Sequence, residues 1–180
     1  GDEQGLGKTK QAIDIAVYRK HNEGLKHCLI VVGVNGIKYN WIKEIEKHST
    51  EKGFILGSRL KRDGTFRDGS ITEKLEDLRN LKSRDEFFIV TNIESVRSKR
   101  KKMDKRGRKI PNSEQVERNE ILLLLQKMIE QGEIGMVIID EIHKVKNAFS
   151  QQGEGIHYLN TPYKIGMTGT VLMNSPLDLY

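Results

Sequence analysis

The first nine residues, Gly1 to Thr9, have the residue types of a phosphate-binding loop. Gly5 and Gly7 allow the backbone to turn its N–H groups toward an anion. Lys8 can reach the β- and γ-phosphates of a nucleotide, and the hydroxyl of Thr9 can bind Mg²⁺. Apolar residues at helical spacing follow, so the loop leads into a helix whose N-terminus attracts anions. The pattern favours nucleotide binding over the alternative, which is an ordinary glycine turn before a helix.

A pair of acids follows the most apolar run of the chain, Met136 to Ile139. Asp140 and Glu141 are expected at the sheet edge where Lys8 and Thr9 would lie. Asp140 suits the binding of Mg²⁺ through a bound water, and Glu141 suits the base that polarises the attacking water. The alternative is that both acids cap the next helix. The Gly-Lys-Thr sequence upstream favours the catalytic interpretation.

Two further polar segments leave their roles open. His143 lies two residues after Glu141, and no second His or Cys at ligand spacing accompanies it, so a zinc site is not expected. The sequence Thr168-Gly169-Thr170 follows a predicted strand. It is either a plain turn or a hydroxyl pair that bonds to the Asp-Glu segment and responds to the γ-phosphate.

The composition is that of one globular domain of 180 residues. No apolar run approaches the roughly 20 residues that a membrane span needs. The single cysteine, Cys28, lies in an apolar run, which excludes a disulfide within the chain and predicts a buried strand residue. The opening residues do not form a signal peptide, so we expect a reducing, intracellular location and no membrane association.

The net charge of +6 is concentrated in one segment, residues 97–109. Nine Lys or Arg and one Asp give this segment +8, which leaves −2 for the rest of the chain. The segment has no apolar face, so we expect a basic mobile loop over residues 97–112. Such a charge run is either a solvated surface or a contact for nucleic acid. The nucleic-acid hypothesis singles out Lys99, Arg100, Lys101 and Lys102.

Apolar runs and periodicity predict strands alternating with helices. The predicted strands are 26–32, 53–57, 87–91, 136–139 and 163–167. The predicted helices follow Thr9, surround Trp41, begin at Thr72, run from Asn112 or Ser113 to Ile129, and lie near 155–159; residues 58–70 are predicted as a loop or hairpin. Strands that are apolar throughout favour an α/β fold with a mostly parallel sheet covered on both faces. A phosphate-binding loop normally follows a strand, so either the natural protein continues upstream of Gly1 or the chain lacks its first strand. We therefore expect the chain to be a fragment.

Four segments resemble motifs I, Ia, II and III of the Swi/Snf-type DNA translocases, which are superfamily-two helicases. They are Asp-Glu-Gln-Gly-Leu-Gly-Lys-Thr (2–9), Tyr-Asn-Trp (39–41), Asp-Glu-Ile-His-Lys-Val-Lys-Asn (140–147) and Met-Thr-Gly-Thr-Val-Leu-Met-Asn (167–174). The family has acidic residues where a Walker loop has its first Gly, which accounts for Asp2. The resemblance covers nearly the whole chain, and four motifs in the family's order are more specific than one.

The resemblance implies that residues 1–180 are the first of two RecA-like lobes of an ATP-dependent motor, with the three-layer P-loop fold. The implied ligands are ATP and Mg²⁺. The nucleotide-binding residues would be Asp2, Glu3, Gln4, Gly5, Leu6, Gly7, Lys8 and Thr9, with Asp140 and Glu141 as the Walker B pair. His143, Thr168, Gly169 and Thr170 would couple the ATP state to DNA contact. The residues implied to face the DNA backbone are Asn35, Gly36, Thr91 and Asn92.

The leading hypothesis is a DNA-dependent ATPase that moves on duplex DNA once a second lobe completes it. The isolated lobe is expected to hydrolyse ATP negligibly, because an arginine finger in the missing lobe is worth about 10³–10⁵ in rate. One alternative is a nucleic-acid- or partner-binding module with a vestigial nucleotide site. Another is a superfamily-two helicase that acts on RNA.

Overall fold

A computed structural model describes residues 7–33, 36–100, 106, 108, 116–140 and 151–167. The helices in these ranges are α1 (Lys8–Glu23), α2 (Ile37–His48), α3 (Ile71–Arg79), α4 (Ile93–Val96), α5 (Glu120–Glu130) and α6 (Gln151–Tyr158). The strands are β1 (His27–Val32), β2 (Gly53–Ile55), β3 (Arg59–Leu60), β4 (Phe66–Arg67), β5 (Phe88–Asn92), β6 (Lys99–Arg100), β7 (Val116–Glu117), β8 (Ile134–Ile139) and β9 (Tyr163–Gly166). Among these helices none is long and apolar enough to cross a membrane.

The central sheet contains five strands in the order β2-β5-β1-β8-β9, and every neighbouring pair is parallel. Val31 pairs with Thr91 on one side and with Ile139 on the other, and Ile139 pairs with Gly166. The carboxyl ends of β5, β1, β8 and β9 therefore lie side by side at one edge. The predicted α/β fold with a mostly parallel sheet is confirmed.

Each face of the sheet has its own apolar cluster, because successive side chains of a strand point to opposite faces. Leu29 and Val31 of β1 pack with α3, α5 and α6 on one face. Cys28, Ile30 and Val32 pack with α1 and α2 on the other face. The central strands are apolar throughout because both faces are covered, as predicted.

Helix α5 begins later than predicted. Val116 lies in β7, and α5 starts at Glu120 with Asn119 as its N-cap. The Asn119 side chain accepts a hydrogen bond from the N–H of Leu122 at 2.8 Å. The prediction failed because β7 pairs with β6, a contact that helical spacing does not reveal. Residues 111–115, where the helix was expected to start, lie outside the described part of the chain.

Helix α3 is capped by Ser70 and not, as predicted, by Thr72. The Ser70 hydroxyl accepts from the N–H of Glu73, and the Glu73 carboxylate accepts from the N–H of Ser70. This reciprocal capping box needs Glu three residues after the cap, which Ser70 has and Thr72 lacks. The hydrogen bond from Arg67 is the main cause that lowers the pKa of Glu73 to about 2.

Two surface segments form short antiparallel pairs. The stretch predicted as a loop or hairpin is a hairpin, in which β3 pairs with β4. Within the basic segment, Lys99 and Arg100 form β6 and pair with β7, so these two residues are not in a loop. A loop over the rest of 97–112 stays a prediction, because the described part of the chain includes little of that stretch.

Candidate active site

The first turn of α1 lies toward the carboxyl edge of the sheet. The opposite end of this helix contacts the start of β9, where the Arg19 guanidinium lies 3.6 Å from the ring centre of Tyr163. A hydrogen bond from the Tyr163 hydroxyl to Glu23 lowers the pKa of Glu23 and raises that of Tyr163. Because the last turns of α1 lie where β9 begins, α1 runs antiparallel to the strands. Lys8 and Thr9 are therefore directed to the edge where the strands end.

The backbone at this end of α1 suits an anion. Gly7 is the N-cap with φ of 74°, a left-handed conformation that favours glycine, and its carbonyl accepts from the N–H of Gln11 at 3.0 Å. The first turn of α1 contains Lys8 and no acid. The positive end of the helix dipole and the Lys8 ammonium would therefore both stabilise a bound phosphate.

Asp140 lies at the same edge, directly after β8. Its N–H donates to the carbonyl of Val31 at 2.9 Å, which extends the sheet by one residue. Its carboxylate oxygen Oδ2 accepts a hydrogen bond from Nε1 of Trp41, also at 2.9 Å. Trp41 belongs to α2 and is buried in the cluster that contains Ile13 of α1 and Ile138 of β8. Helices α1 and α2 and strand β8 thus position Lys8, Trp41 and Asp140 from one face of the sheet.

The side chains at this edge fit Mg²⁺ that arrives with a nucleotide. Mg²⁺ usually keeps several waters and is held by one or two carboxylates together with substrate phosphates. Thr9 and Asp140, the two predicted ligands, supply a hydroxyl and one carboxylate of this kind. In the part of the chain that the structure describes, no group of three or more His, Cys, Asp and Glu side chains forms an all-protein metal site.

The residues predicted to face nucleic acid occupy different environments. Gly36 is the N-cap of α2, with φ of −63°. Thr91 is only 1% exposed, so its side chain has no surface to offer a phosphate in this conformation. The side-chain oxygen Oδ1 of Asn92 caps α4 by accepting from the N–H of Ser95 at 3.1 Å. The role of Thr91 and Asn92 in DNA binding stays a prediction.

A cavity of about 510 Å³ lies beside Asn92. Three cations line it, and of these the sequence had indicated only Arg97, the first residue of the basic segment. They are Lys74, Arg97 and Arg118. The Lys74 ammonium donates to the hydroxyl of Ser95 at 2.8 Å. Burial, and next the charge of Lys38, lower the pKa of Lys74. A signal was present, because Lys74 directly precedes Leu75 of the predicted apolar stripe, where the stem of a lysine can be covered.

Many predicted site residues lie outside the described residues, and their roles stay predictions. They are Asp2, Glu3, Gln4, Gly5, Leu6, Asn35, Lys101, Lys102, Glu141, His143, Thr168, Gly169 and Thr170. The side chains of Lys99 and Arg100 are likewise not described. Cys28, in contrast, is fully buried in β1, as predicted, and burial raises the pKa of its thiol.

Comparison with known proteins decides the family. The family profile described as the SNF2-related domain matches residues 1–180. The chain belongs to this family. The resemblance to Swi/Snf-type enzymes, inferred above from four motifs, is confirmed.

Two relatives of this SNF2-related domain are larger proteins, and one of the two is named as a DNA repair protein. The DNA repair and recombination protein RAD54-like of Gallus gallus is 27% identical over 183 residues, which cover 99% of this chain and 21% of the relative. Switch 2 of Arabidopsis thaliana is 28% identical over 191 residues, covering 100% of this chain and 18% of the relative. The chain thus spans about a fifth of the length of these relatives.

A solved structure supports the RecA-like architecture of the SNF2-related domain. The SWI2/SNF2 ATPase core of Sulfolobus solfataricus, determined in complex with dsDNA, superposes with a TM-score of 0.55 at 20% identity. The match covers 99% of this chain and 28% of that one. The three-layer fold predicted from the sequence is confirmed.

Proposed function

We propose that this SNF2-related domain is the ATP-binding first motor lobe of a DNA-dependent ATPase that moves on duplex DNA. A second RecA-like lobe completes it, and hydrolysis then uses Mg²⁺. We expect the protein to work inside the cell, where genomic DNA and ATP are available.

The observation that carries this proposal is the shared sheet edge of α1 and Asp140. A helix start with Lys8, Thr9 and a left-handed Gly7 is directed to the edge at which β8 delivers a carboxylate. Ligands of open parallel α/β sheets bind at the carboxyl ends of the strands. A triphosphate bound at this edge would be contacted by the start of α1 on one side and by Asp140 on the other.

Each predicted site residue has a role in this proposal. Lys8 and the amides of the first turn of α1 hold the phosphates. Thr9 and Asp140 would hold Mg²⁺, which when bound neutralises charge that develops on the transferred phosphoryl group. Glu141 orients the attacking water and accepts its proton. His143 and residues 168–170 transmit the state of the nucleotide to the DNA-facing side.

Duplex DNA is the partner that we propose for the carboxyl edge beyond β1 and β5. The cavity beside Asn92 is lined by the cations Lys74, Arg97 and Arg118 and by the acids Glu94 and Glu120, of which Glu94 pairs with Arg97. The cations exceed the acids by one, and this small positive excess is compatible with a DNA phosphate. Phosphate contacts of this kind supply most of the sequence-independent affinity for DNA. The Sulfolobus solfataricus core of the same fold was solved with dsDNA, which favours duplex DNA over RNA.

The test is ATP hydrolysis by the intact protein that contains this chain, with duplex DNA, with RNA and without nucleic acid. We expect duplex DNA to stimulate hydrolysis and Lys8→Ala to abolish it. Lys10→Ala is the matched control, since Lys10 lies on the same helix and is exposed in an ion pair with Asp14. Its variant should hydrolyse ATP like the wild type.

Two results would overturn parts of the proposal separately. Stimulation by RNA and not by duplex DNA would identify an RNA-directed helicase. ATP binding and hydrolysis that are equally absent from the wild type and from Lys8→Ala, together with intact DNA binding, would identify a binding module with a vestigial nucleotide site.

A further inference from the structure

Trp41 is the only tryptophan of the chain, and it joins two elements that are far apart in sequence. Its ring is 2% exposed and packs in the apolar cluster shared by α1, α2 and β8. Its indole N–H nevertheless reaches the polar edge of the sheet and donates to Oδ2 of Asp140, at 2.9 Å and across 99 sequence positions.

The indole acts on the side chain of Asp140 and not on its main chain. The main chain is held separately, because the N–H of Asp140 donates to the carbonyl of Val31. The sheet therefore fixes where Asp140 lies, while the bond from Trp41 restricts how its carboxylate turns. A carboxylate that is already oriented loses less freedom when it binds a cation.

We propose that Trp41 is a positioning residue for the metal site, an inference that rests on the proposed function. Trp41 holds Oδ2 of Asp140 and so orients the carboxylate, which would bind Mg²⁺ directly or through a water. The alternative is a purely structural role. In that case Asp140 only accepts the hydrogen bond that the buried indole N–H requires, and Trp41 does nothing for the metal. The two roles differ in what the loss of the N–H does to metal binding.

The experiment measures binding of a fluorescent ATP analogue to the intact protein, once in EDTA and once in excess Mg²⁺. The ratio of the two dissociation constants gives the affinity gained from the metal. Trp41→Phe keeps a buried aromatic ring and removes the N–H. We expect the ratio of the dissociation constant in EDTA to that in Mg²⁺ to be about tenfold smaller in this variant than in the wild type. The reason is that loss of such a hydrogen-bond partner costs about 10–100-fold in metal affinity. The affinity of this variant in EDTA should equal that of the wild type.

Two further proteins separate positioning from packing. Ile45→Val removes one methyl group from the same helix and the same buried cluster and leaves the hydrogen bond in place. This control should keep the full gain from Mg²⁺. Benzothienylalanine at position 41 retains the size of the indole and replaces its N–H with sulfur. It should behave as Trp41→Phe does, and it decides the question if Trp41→Phe does not fold.

Distinct outcomes identify which idea fails. If the benzothienylalanine protein keeps the wild-type gain from Mg²⁺, Trp41 only fills the core and the inference is wrong. The same conclusion follows if both position-41 proteins lose affinity equally in EDTA and in Mg²⁺. If the wild type binds the analogue but gains nothing from Mg²⁺, the proposed Mg²⁺ site fails and the inference fails with it. If the wild type does not bind the analogue under either condition, the proposed ATP site fails.

Discussion

Replacing Gly155 with Ala should destabilise the domain, against the usual preference of helices for alanine. Gly155 lies in α6, where this helix crosses the end of α4. A Cβ atom built on Gly155 would lie 1.8 Å from the carbonyl oxygen of Val96 and 3.2 Å from the Cα of Arg97. Both neighbours are main-chain atoms, so they cannot turn aside as a flexible side chain would.

Two effects of opposite sign set the magnitude. Ala is more favourable than Gly within a helix by about 1 kcal/mol. Cβ atoms essentially never approach other heavy atoms closer than 3.0 Å, so α6 and α4 must separate by about 1.2 Å. Overpacking of a core costs about 1–3 kcal/mol. We expect a cost in the upper part of that range here, because the main chains of two helices must move apart. We therefore expect a net loss of about 1–2 kcal/mol in the free energy of unfolding, or roughly 3–6 °C in Tm.

Thermal and urea unfolding, followed by far-UV circular dichroism, measure this loss. Gly36→Ala is the matched control, because φ at Gly36 is −63° and a Cβ there meets nothing within 4 Å. Its Tm should change little. A Tm for Gly155→Ala equal to or above that of the control would refute the close approach of α6 to α4.

Four other changes have expected outcomes. Ser70→Ala should cost about 1 kcal/mol of unfolding free energy in urea melts, whereas Thr72→Ala should not, because Ser70 caps α3. Arg67 and the Ser70 amide lower the pKa of Glu73 from 4.5 to about 2, so the stability from this carboxylate is complete above pH 4.5 and is lost as the pH falls toward 2. Glu73→Gln can still complete the capping box but does not titrate. In melts across this pH range, the unfolding free energy of this variant should therefore fall less on acidification than that of the wild type. Neutralising residues 99–102 should make the plot of log duplex-DNA affinity against log salt concentration less steep. The slope should fall by about one unit for each phosphate that these residues contact, and an unchanged slope would exclude them from the DNA surface. The 180-residue chain alone should hydrolyse ATP about 10³–10⁵-fold more slowly than the intact protein, and comparable DNA-stimulated rates would contradict the need for a second lobe.

The architecture was predictable from the sequence because burial on both faces leaves a strong local signal. The runs that became β1 and β8 are apolar at every position from Cys28 to Val32 and from Met136 to Ile139, which is typical of a covered parallel sheet. Motif order then predicted the family, and Asp140 followed from its place after the strongest strand.

Non-local contacts were not predictable in the same way. Val116 is followed by apolar residues at helical spacing, so it was included in the predicted helix. Only its pairing with Arg100 shows that it is a strand residue. The bond from Trp41 to Asp140 joins residues that local periodicity treats independently. The position of Lys74 beside Leu75 was only a weak signal of its partial burial, because a charged side chain beside an apolar stripe usually extends to solvent.

The position of β1 in the middle of the sheet has a consequence for how the chain acquires its structure. Leu29 pairs with Ile89 and with Val137, so β1 is synthesised before both of its neighbours in the sheet and must wait for them. The contacts of β1 with β5 and β8 close long segments of chain, which is slow. Until they form, the exposed apolar strand can aggregate. We therefore expect the nascent polypeptide to stay open to chaperones until β8 has left the ribosome.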